Sequence, residues 1–317
     1  MKQFLSTEDV PSISGLVELA LKYKTDPFAD TTLGARKTLG LLFMNPSLRT
    51  RISTQVAAKN LGMEVIVFNV DKDGWQLEFT DGAVMNGNTT EHVREAAAVL
   101  GQYVDILGVR SFPSLTDRDR DYSEQVIHSF VKFAGVPVVS LESATLHPLQ
   151  SLADLVTIHE LMKSGRKPKV VMTWAPHVKA LPQAVPNSFA QWMTAWGGAD
   201  FVIAHPEGYE LNERFTRGAT ITHDPLAALT GADFVYVKNW SSYHDYGKIL
   251  NSDPAWTVTE ARLKNAPDAK VMHCLPVRRN VVIADEVLDG PRSVVVREAG
   301  NRVWAAQAVL SEILRHS

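Results

Sequence analysis

The chain is predicted to be an α/β protein made of two doubly wound parallel-sheet domains, with its ligand site in the cleft between them. Three observations lead there. Short runs that are apolar on both faces, among them LGLLFM at 39–44 and DFVYVKNW at 233–240, alternate with helical stretches, as buried parallel strands alternate with crossover helices. A length of 317 residues with 45% hydrophobic residues suits two domains of ordinary size, each with a substantial core. No repeat, linker tract or low-complexity segment interrupts the alternation.

Taken in order, Ile13, Leu16, Val17, Ala20 and Leu21 share one face of a helix over 12–24. A strand over 38–44, a helix over 48–61 stopped by Gly62 and a strand over 64–70 make a βαβ unit. Beyond a polar loop, Asn88 to Glu91 resembles a capping box that opens a helix over 88–100, followed by a strand over 103–109. A helix over 122–134 and a strand over 137–142 complete a four-stranded first domain, 1–146. A helix over 147–163 leads into the second domain, 147–297. Its strands are PKVVMTWA, DFVIAHP, ATITHD, DFVYVKNW and AKVMHCLP, with SVVV at 293–296 a weaker candidate. A last helix, 298–317, is expected to return to the first domain.

Thirty-five acidic and 32 basic residues give a net charge of -3, so no global field draws the protein to nucleic acid or an anionic membrane. The single cysteine, Cys274, rules out an internal disulfide and fits a reducing compartment, the cytoplasm. MKQFLSTEDV has no apolar signal core, and no apolar run approaches the ~18 residues that span a bilayer.

The stretch from Asn45 to Arg51 reads as an anion cradle. Ser47 can cap the helix that begins there, and the first turn presents unpaired N–H groups and a partial positive charge. Arg49 and Arg51 add guanidinium forks, and Thr50 a hydroxyl donor. A solvated basic helix start is the alternative. Other polar groups fall at predicted strand ends, where ligands bind in such sheets: Arg110 after the third strand, and His147 and Gln150 after the fourth. Their convergence on one edge favours a site over separate structural roles.

In the second domain His177 follows one strand, Lys238 another, and His273, Cys274, Leu275 and Arg278 a third. Cys274 beside His273 invites a nucleophile reading. Adjacent strand residues face opposite ways, however, which favours a structural or backbone role for Cys274. Trp75 is either a core aromatic or, given its polar neighbours Asp71, Lys72, Asp73 and Gln76, part of a binding loop.

SLRTR, HPLQSLAD and HCLP, in this order across two α/β domains, resemble the aspartate and ornithine carbamoyltransferases. MTWAPHVKALPQAVPNSF, HPEGYEL, KNW and HCLPVRRN are similar to the branch acting on Nα-acylated ornithine. The resemblance implies that Ser47, Leu48, Arg49 and Thr50 bind carbamoyl phosphate, joined by Arg110, His147, Gln150, Cys274, Leu275 and Arg302. It assigns acceptor binding to Glu142, His177, Lys238 and Arg278. It also implies a homotrimer in which Trp75 reaches a neighbouring subunit's site, and a trefoil knot in the second domain around the LPQAVPNS loop, which Pro182 and Pro186 would stiffen.

The acceptor motif DxxxSMG of the ornithine enzymes has no counterpart; the region reads KNWSSY. Lys238 would repel the α-ammonium of free ornithine, and acylation removes that conflict. The implied reaction is attack of a neutral δ-amine on carbamoyl phosphate, with Arg49, Thr50, Arg110 and His147 stabilising charge and the departing phosphate taking the proton. It needs no metal or organic cofactor. Thr90 stands where the branch has Pro in succinyl-type and Glu in acetyl-type enzymes. A neutral donor at a helix start favours a succinyl carboxylate, with N-acetylornithine as the alternative. A nucleotide-binding dehydrogenase lacks support, since neither GxGxxG nor GxxxxGK[ST] occurs; a non-catalytic protein binding an anionic metabolite would use the same arginines.

Overall fold

A computed structural model of the chain describes residues 1–316; Ser317, the end of the expected return segment, lies outside the described residues. The chain forms two compact units. The first comprises 1–114, 119–149 and 302–317, the second 115–118 and 150–301. The divisions thus fall a few residues beyond 146 and 297.

The first unit holds a four-stranded parallel sheet in the order Glu64–Asn69, Thr38–Phe43, Ile106–Arg110, Val138–Glu142. The two inner strands are buried throughout, apart from the first residue of Thr38–Phe43. Leu42, Leu107 and Val109 pack with Val93, Ala97, Ile127 and Phe130 from the helices Val93–Tyr103 and Gln125–Phe133. The helix Arg49–Asn60 ends just before Gly62, whose φ of 81° is left-handed and where a Cβ would lie 2.1 Å from the Thr31 carbonyl oxygen. Successive connections leave Thr38–Phe43 in opposite directions along the sheet, so the crevice of this unit opens beyond Phe43 and Arg110.

The second unit holds a five-stranded parallel sheet in the order Lys270–Met272, Phe234–Lys238, Lys169–Trp174, Asp200–Ala204, Thr220–Thr222. Its core is aromatic: Phe189 stacks on Tyr236 with ring centroids 4.1 Å apart, and Trp174 lies 4.7 Å from Tyr209. The order reverses between Phe234–Lys238 and Lys169–Trp174, which puts Lys238 and the residues after Trp174 at that crevice.

Five expectations need correction. Residues 88–91 do not cap a helix: Glu91–His92 pairs in parallel with Leu77–Glu78, and the Glu91 carboxylate accepts from Trp75 Nε1 at 2.8 Å. The helix starts at Val93, with the His92 side chain accepting from the Arg94 N–H, and runs on through Tyr103, so the next strand begins at Ile106. The helix expected over 122–134 starts later, as Gln125–Phe133, and a separate short helix, Arg118–Tyr122, precedes it. The break comes at Glu124, whose left-handed backbone lets its carboxylate accept from the Ala144 and Thr145 N–H groups. SVVV is not a strand; the last helix, Val295–Leu314, already includes its second half. Pro186 does not stiffen a loop but lies in the first turn of the helix Ala184–Trp196, where a missing N–H costs no helical hydrogen bond. No described helix is long and apolar enough to cross a membrane.

Candidate active site

The first unit concentrates its charged groups at the crevice edge. Ser47 Oγ accepts from the Thr50 N–H at 3.3 Å, so the expected serine contact fixes the helix start, although Leu48 occupies the capping position itself. Thr50 Oγ1 accepts from Arg110 Nη1 at 3.3 Å and from Arg302 Nη2. With both lone pairs engaged, the threonine hydroxyl keeps its hydrogen as a donor. A register shift between Val109 and Arg110 sets Arg110 opposite Glu142, and the two pair at 2.6 Å with both side chains 8% exposed. Arg110 also lies over the Phe112 ring, 4.6 Å from its centroid. Arg51, expected to share the cradle, instead bonds Asn69 and covers Phe43.

His147 is 3% exposed, its Nε2 lies 3.6 Å from Glu142, and its pKa is held well below the usual imidazole range. Burial is the first cause, followed by the charges of Arg302, Arg110 and Arg49. It is a neutral imidazole ringed by three guanidiniums. Set against Glu142, those three cations leave a surplus of two positive charges. The Arg110 Nε and His147 Nδ1 atoms are buried without a hydrogen-bond partner among the described residues, whereas folded proteins generally satisfy such atoms. Such an arrangement can hold a small dianion and polarise a carbonyl beside it.

Leu48 is 69% and Trp75 54% exposed, and Trp75 stands on the segment between the Glu64–Asn69 strand and the Leu77–Glu78 ribbon. Thr90 is exposed, and its N–H donates to the Gln76 carbonyl. It immediately precedes the Glu91–His92 ribbon strand and is not at a helix N-terminus, since the helix starts at Val93 with His92 as its cap.

In the second unit, His177 Nε2 accepts from Arg278 Nε at 3.1 Å. Its Nδ1 lies against the Lys179 backbone, 2.9 Å from the carbonyl oxygen and 3.1 Å from the amide nitrogen. Burial, with the charges of Lys238, Arg278 and Lys179, depresses the His177 pKa despite the Lys179 carbonyl, so this imidazole too is neutral at pH 7. Lys238 is 8% exposed, and neither it nor Arg278 pairs with a carboxylate among the described residues. This edge is suited to acidic ligands.

The 273–275 turn shows what Cys274 is not. His273 Nδ1 accepts from the Leu275 N–H at 2.8 Å, so that nitrogen is occupied by backbone and not by a thiol proton. Leu275 has a φ of 56°, an unfavourable left-handed conformation for a branched-chain residue. The turn is held from behind: Glu298 accepts from the His273 N–H at 2.8 Å, and Gln150 Nε2 donates to Asp154 at 2.7 Å and to Glu298 at 3.5 Å. Burial first, then the Asp154 charge, raises the Glu298 pKa far above the carboxylate range, so this pair holds a proton. Gln150, expected beside the arginines, thus spends its amide hydrogens on carboxylates of the second unit. Neither Asp154 nor Glu298 is apparent in the sequence, because only folding brings 150, 154, 273 and 298 together.

Residues 2–160 match the family described as aspartate/ornithine carbamoyltransferase, carbamoyl-P binding domain, and residues 183–313 its Asp/Orn binding domain. An N-succinylornithine carbamoyltransferase of Bacteroides thetaiotaomicron is 49% identical over 316 residues, 99% of each chain. An N-acetylornithine carbamoyltransferase of Xanthomonas campestris pv. campestris is 35% identical, over 100% of this chain and 99% of the other. Among solved structures, an N-acetyl-L-ornithine transcarbamylase with one glutamate replaced by valine, complexed with carbamyl phosphate and N-succinyl-L-norvaline, superposes with a TM-score of 0.91. It is 35% identical, and the match covers 99% of this chain and 100% of that one.

Proposed function

Because this chain belongs to the aspartate/ornithine carbamoyltransferase family, we propose that it transfers the carbamoyl group of carbamoyl phosphate to the δ-amine of N-succinyl-L-ornithine, giving N-succinyl-L-citrulline and phosphate. The observation that carries this reading is the pair of cationic crevice edges. Three guanidiniums surround a neutral His147 in the first unit, and in the second Lys238 and Arg278 have no carboxylate partner among the described residues.

The first edge suits carbamoyl phosphate. Arg49, Arg110 and Arg302 match the phosphate's charge, with Ser47 and Leu48 at the helix start beside it. Thr50 O–H and His147 donate to the carbonyl oxygen as it gains charge on attack by the neutral δ-amine. Collapse of the tetrahedral intermediate breaks the C–O bond to phosphate, and the departing phosphate takes the amine proton. His147, neutral, polarises the carbonyl without adding a fourth cation that would overbind the phosphate ground state. The turn at Cys274 and Leu275 offers backbone carbonyls to the carbamoyl amide hydrogens. Gln150 is assigned to the same substrate.

The second edge suits an acceptor with a carboxylate and no ammonium at its α-nitrogen: Lys238, Arg278 and His177 for the acid, Glu142 for the amine. Identity of 49% to a succinyl-type enzyme against 35% to an acetyl-type one supports the succinyl group. So does N-succinyl-L-norvaline in transcarbamylase variants that have lost a glutamate, since Thr90 stands where we match that residue. N-acetyl-L-ornithine is the second reading. Product formation from ornithine, N-acetylornithine and N-succinylornithine decides between them. Thr90→Glu is expected to lower succinyl turnover ~10-fold more than acetyl turnover by charge repulsion; an equal effect on both removes Thr90 from the assignment.

We further assign the protein to a cytoplasmic homotrimer serving arginine biosynthesis. Leu48, Ile52 and Val56, spaced four apart on one helix face, are 69%, 52% and 39% exposed, an apolar stripe suited to a second copy. If Trp75 completes a neighbour's site, mixing inactive Trp75→Ala and Arg49→Ala proteins restores part of the activity; no recovery after subunit exchange sinks the shared site. The trefoil passage belongs to the same reading. Ser241 N–H and Oγ both donate to the Leu181 carbonyl and Gln183 Nε2 donates to the Ser241 carbonyl, tying the 181–183 loop to the later segment. A crystallographic trace of 181–248 tests it.

A further inference from the structure

The outer half of the second sheet carries side chains that carbamoyl transfer does not use. His205 follows the strand Asp200–Ala204 and opens the HPEGYEL segment, Glu210 is the penultimate residue of that segment, and His223 follows Thr220–Thr222. We propose that His205, Glu210 and His223 bind a divalent transition-metal ion, zinc foremost, through both histidine Nε2 atoms and a Glu210 carboxylate oxygen.

The histidine tautomers are set for ligation. His205 Nδ1 donates to the Pro206 carbonyl and His223 Nδ1 to the His205 carbonyl, each at 2.8 Å. The lone pairs are therefore on Nε2, with the backbone supplying the outer hydrogen bonds that orient metal-bound imidazoles. His205 is 1% exposed, kept neutral by burial, and its Nε2 is buried without a hydrogen-bond partner among the described residues. A hydrogen-bonding structural role would have satisfied that atom. The register aligns Ala204 with Thr222, and the His205 N–H donates to the Thr222 carbonyl at 3.1 Å, so both histidines leave paired strands at the same level.

The ligand atoms lie within 4.8 Å of one another. Tetrahedral zinc, with bonds of ~2.0–2.2 Å, needs them roughly 3.4 Å apart. His205 is fixed, whereas half-buried Glu210 and exposed His223 have room to rotate inward. Two imidazoles and a carboxylate suit zinc and its transition-metal neighbours better than magnesium or calcium, which favour all-oxygen sites. Three protein ligands leave one position for water. The bound ion would brace the 205–211 segment, whose Tyr209 carbonyl accepts from Trp240 Nε1 at 2.8 Å, two residues after Lys238.

The test uses full-length protein stripped with a chelator and titrated with Zn2+ by calorimetry, and with Co2+ by visible absorption. His205 is too buried to substitute safely, so His223→Ala and Glu210→Gln are the variants, with Cys274→Ala as control for zinc held by the only thiol. The expectation is one ion per chain, affinity lowered at least ~10-fold by either ligand variant and unchanged by the control. Cobalt should give ligand-field bands without a thiolate charge-transfer band, and zinc at a hundredfold excess over Kd should raise Tm by roughly 5 °C. Absence of stoichiometric binding overturns the proposal. So does binding that survives both ligand variants or disappears with Cys274.

Discussion

The two crevice edges carry the same sign of charge but manage it differently. In the first unit Thr50, Arg110, Glu142, His147 and Arg302 are each at most 7% exposed and tied to one another. In the second, Arg278 is exposed, His177 half-buried, and Lys238 alone is buried. A small substrate of fixed shape rewards a preorganised, desolvated site, where each charge-assisted bond is strong and nothing reorganises during reaction. On the proposed function, a longer, flexible acceptor must enter and leave, and open cations would serve that while recognising its carboxylates.

The hardest blow to the comparison is Arg49→Ala. Removing a guanidinium from the closed edge deletes charge-assisted contacts worth ~1.5–3 kcal/mol apiece, and loss of two lowers kcat/KM by roughly 10^3-fold. Arg49 is only half-buried, so Tm should barely move; near-normal turnover would mean the closed edge is not where phosphate binds. Next comes Lys238→Met on the open edge. A rise in acceptor KM of ~10–100-fold with a smaller change in kcat is expected in steady-state assays. A kcat effect alone would place Lys238 with the chemistry and erase the distinction.

A third measurement sharpens the comparison through pH. The His147 pKa is lowered by folding, so its contribution to stability is complete above the unfolded-state value near 6.5 and is lost as pH falls below it, when only the unfolded chain takes up the proton. The slope reaches at most about 1.4 kcal/mol per pH unit. His147→Asn should therefore flatten the fall in Tm between pH 7 and 5; an unchanged slope would show that His147 is not kept neutral by the closed edge. The smallest effect expected is that of Cys274→Ala, within ~3-fold of the parent rate, because backbone and not sulfur acts there. Complete loss at unchanged stability would restore the nucleophile reading.

Much of this was legible beforehand because parallel strands buried on both faces read as continuous apolar runs. All nine strands of the two main sheets were located, and with them the strand-end positions of Arg49, Arg110, His147, His177 and Lys238. Local signals misled where tertiary pairing won. Asn88 to Glu91 has a capping pattern, but Glu91 bonds Trp75 and the segment joins a ribbon. SVVV has strand composition, yet its second half starts a helix. Arg51 looked equivalent to Arg49 until the position of Asn69 was known. The proton-holding pair of Asp154 and Glu298, and the meeting of His205 with His223, depend on contacts between segments far apart in sequence. No spacing rule reaches that far.

The pairing of Arg110 with Glu142 has a consequence for what can inhibit such a protein. At rest the guanidinium is occupied by a carboxylate tethered in the same unit, present at an effective concentration that a diffusing monoanion cannot match. Acetate or chloride in the surrounding medium therefore competes poorly. On the proposed function, a ligand that also engages Arg49 and Arg302 outcompetes Glu142, so antagonists are expected to need at least two negative charges on one tetrahedral head, with the Arg110–Glu142 pair as the internal competitor.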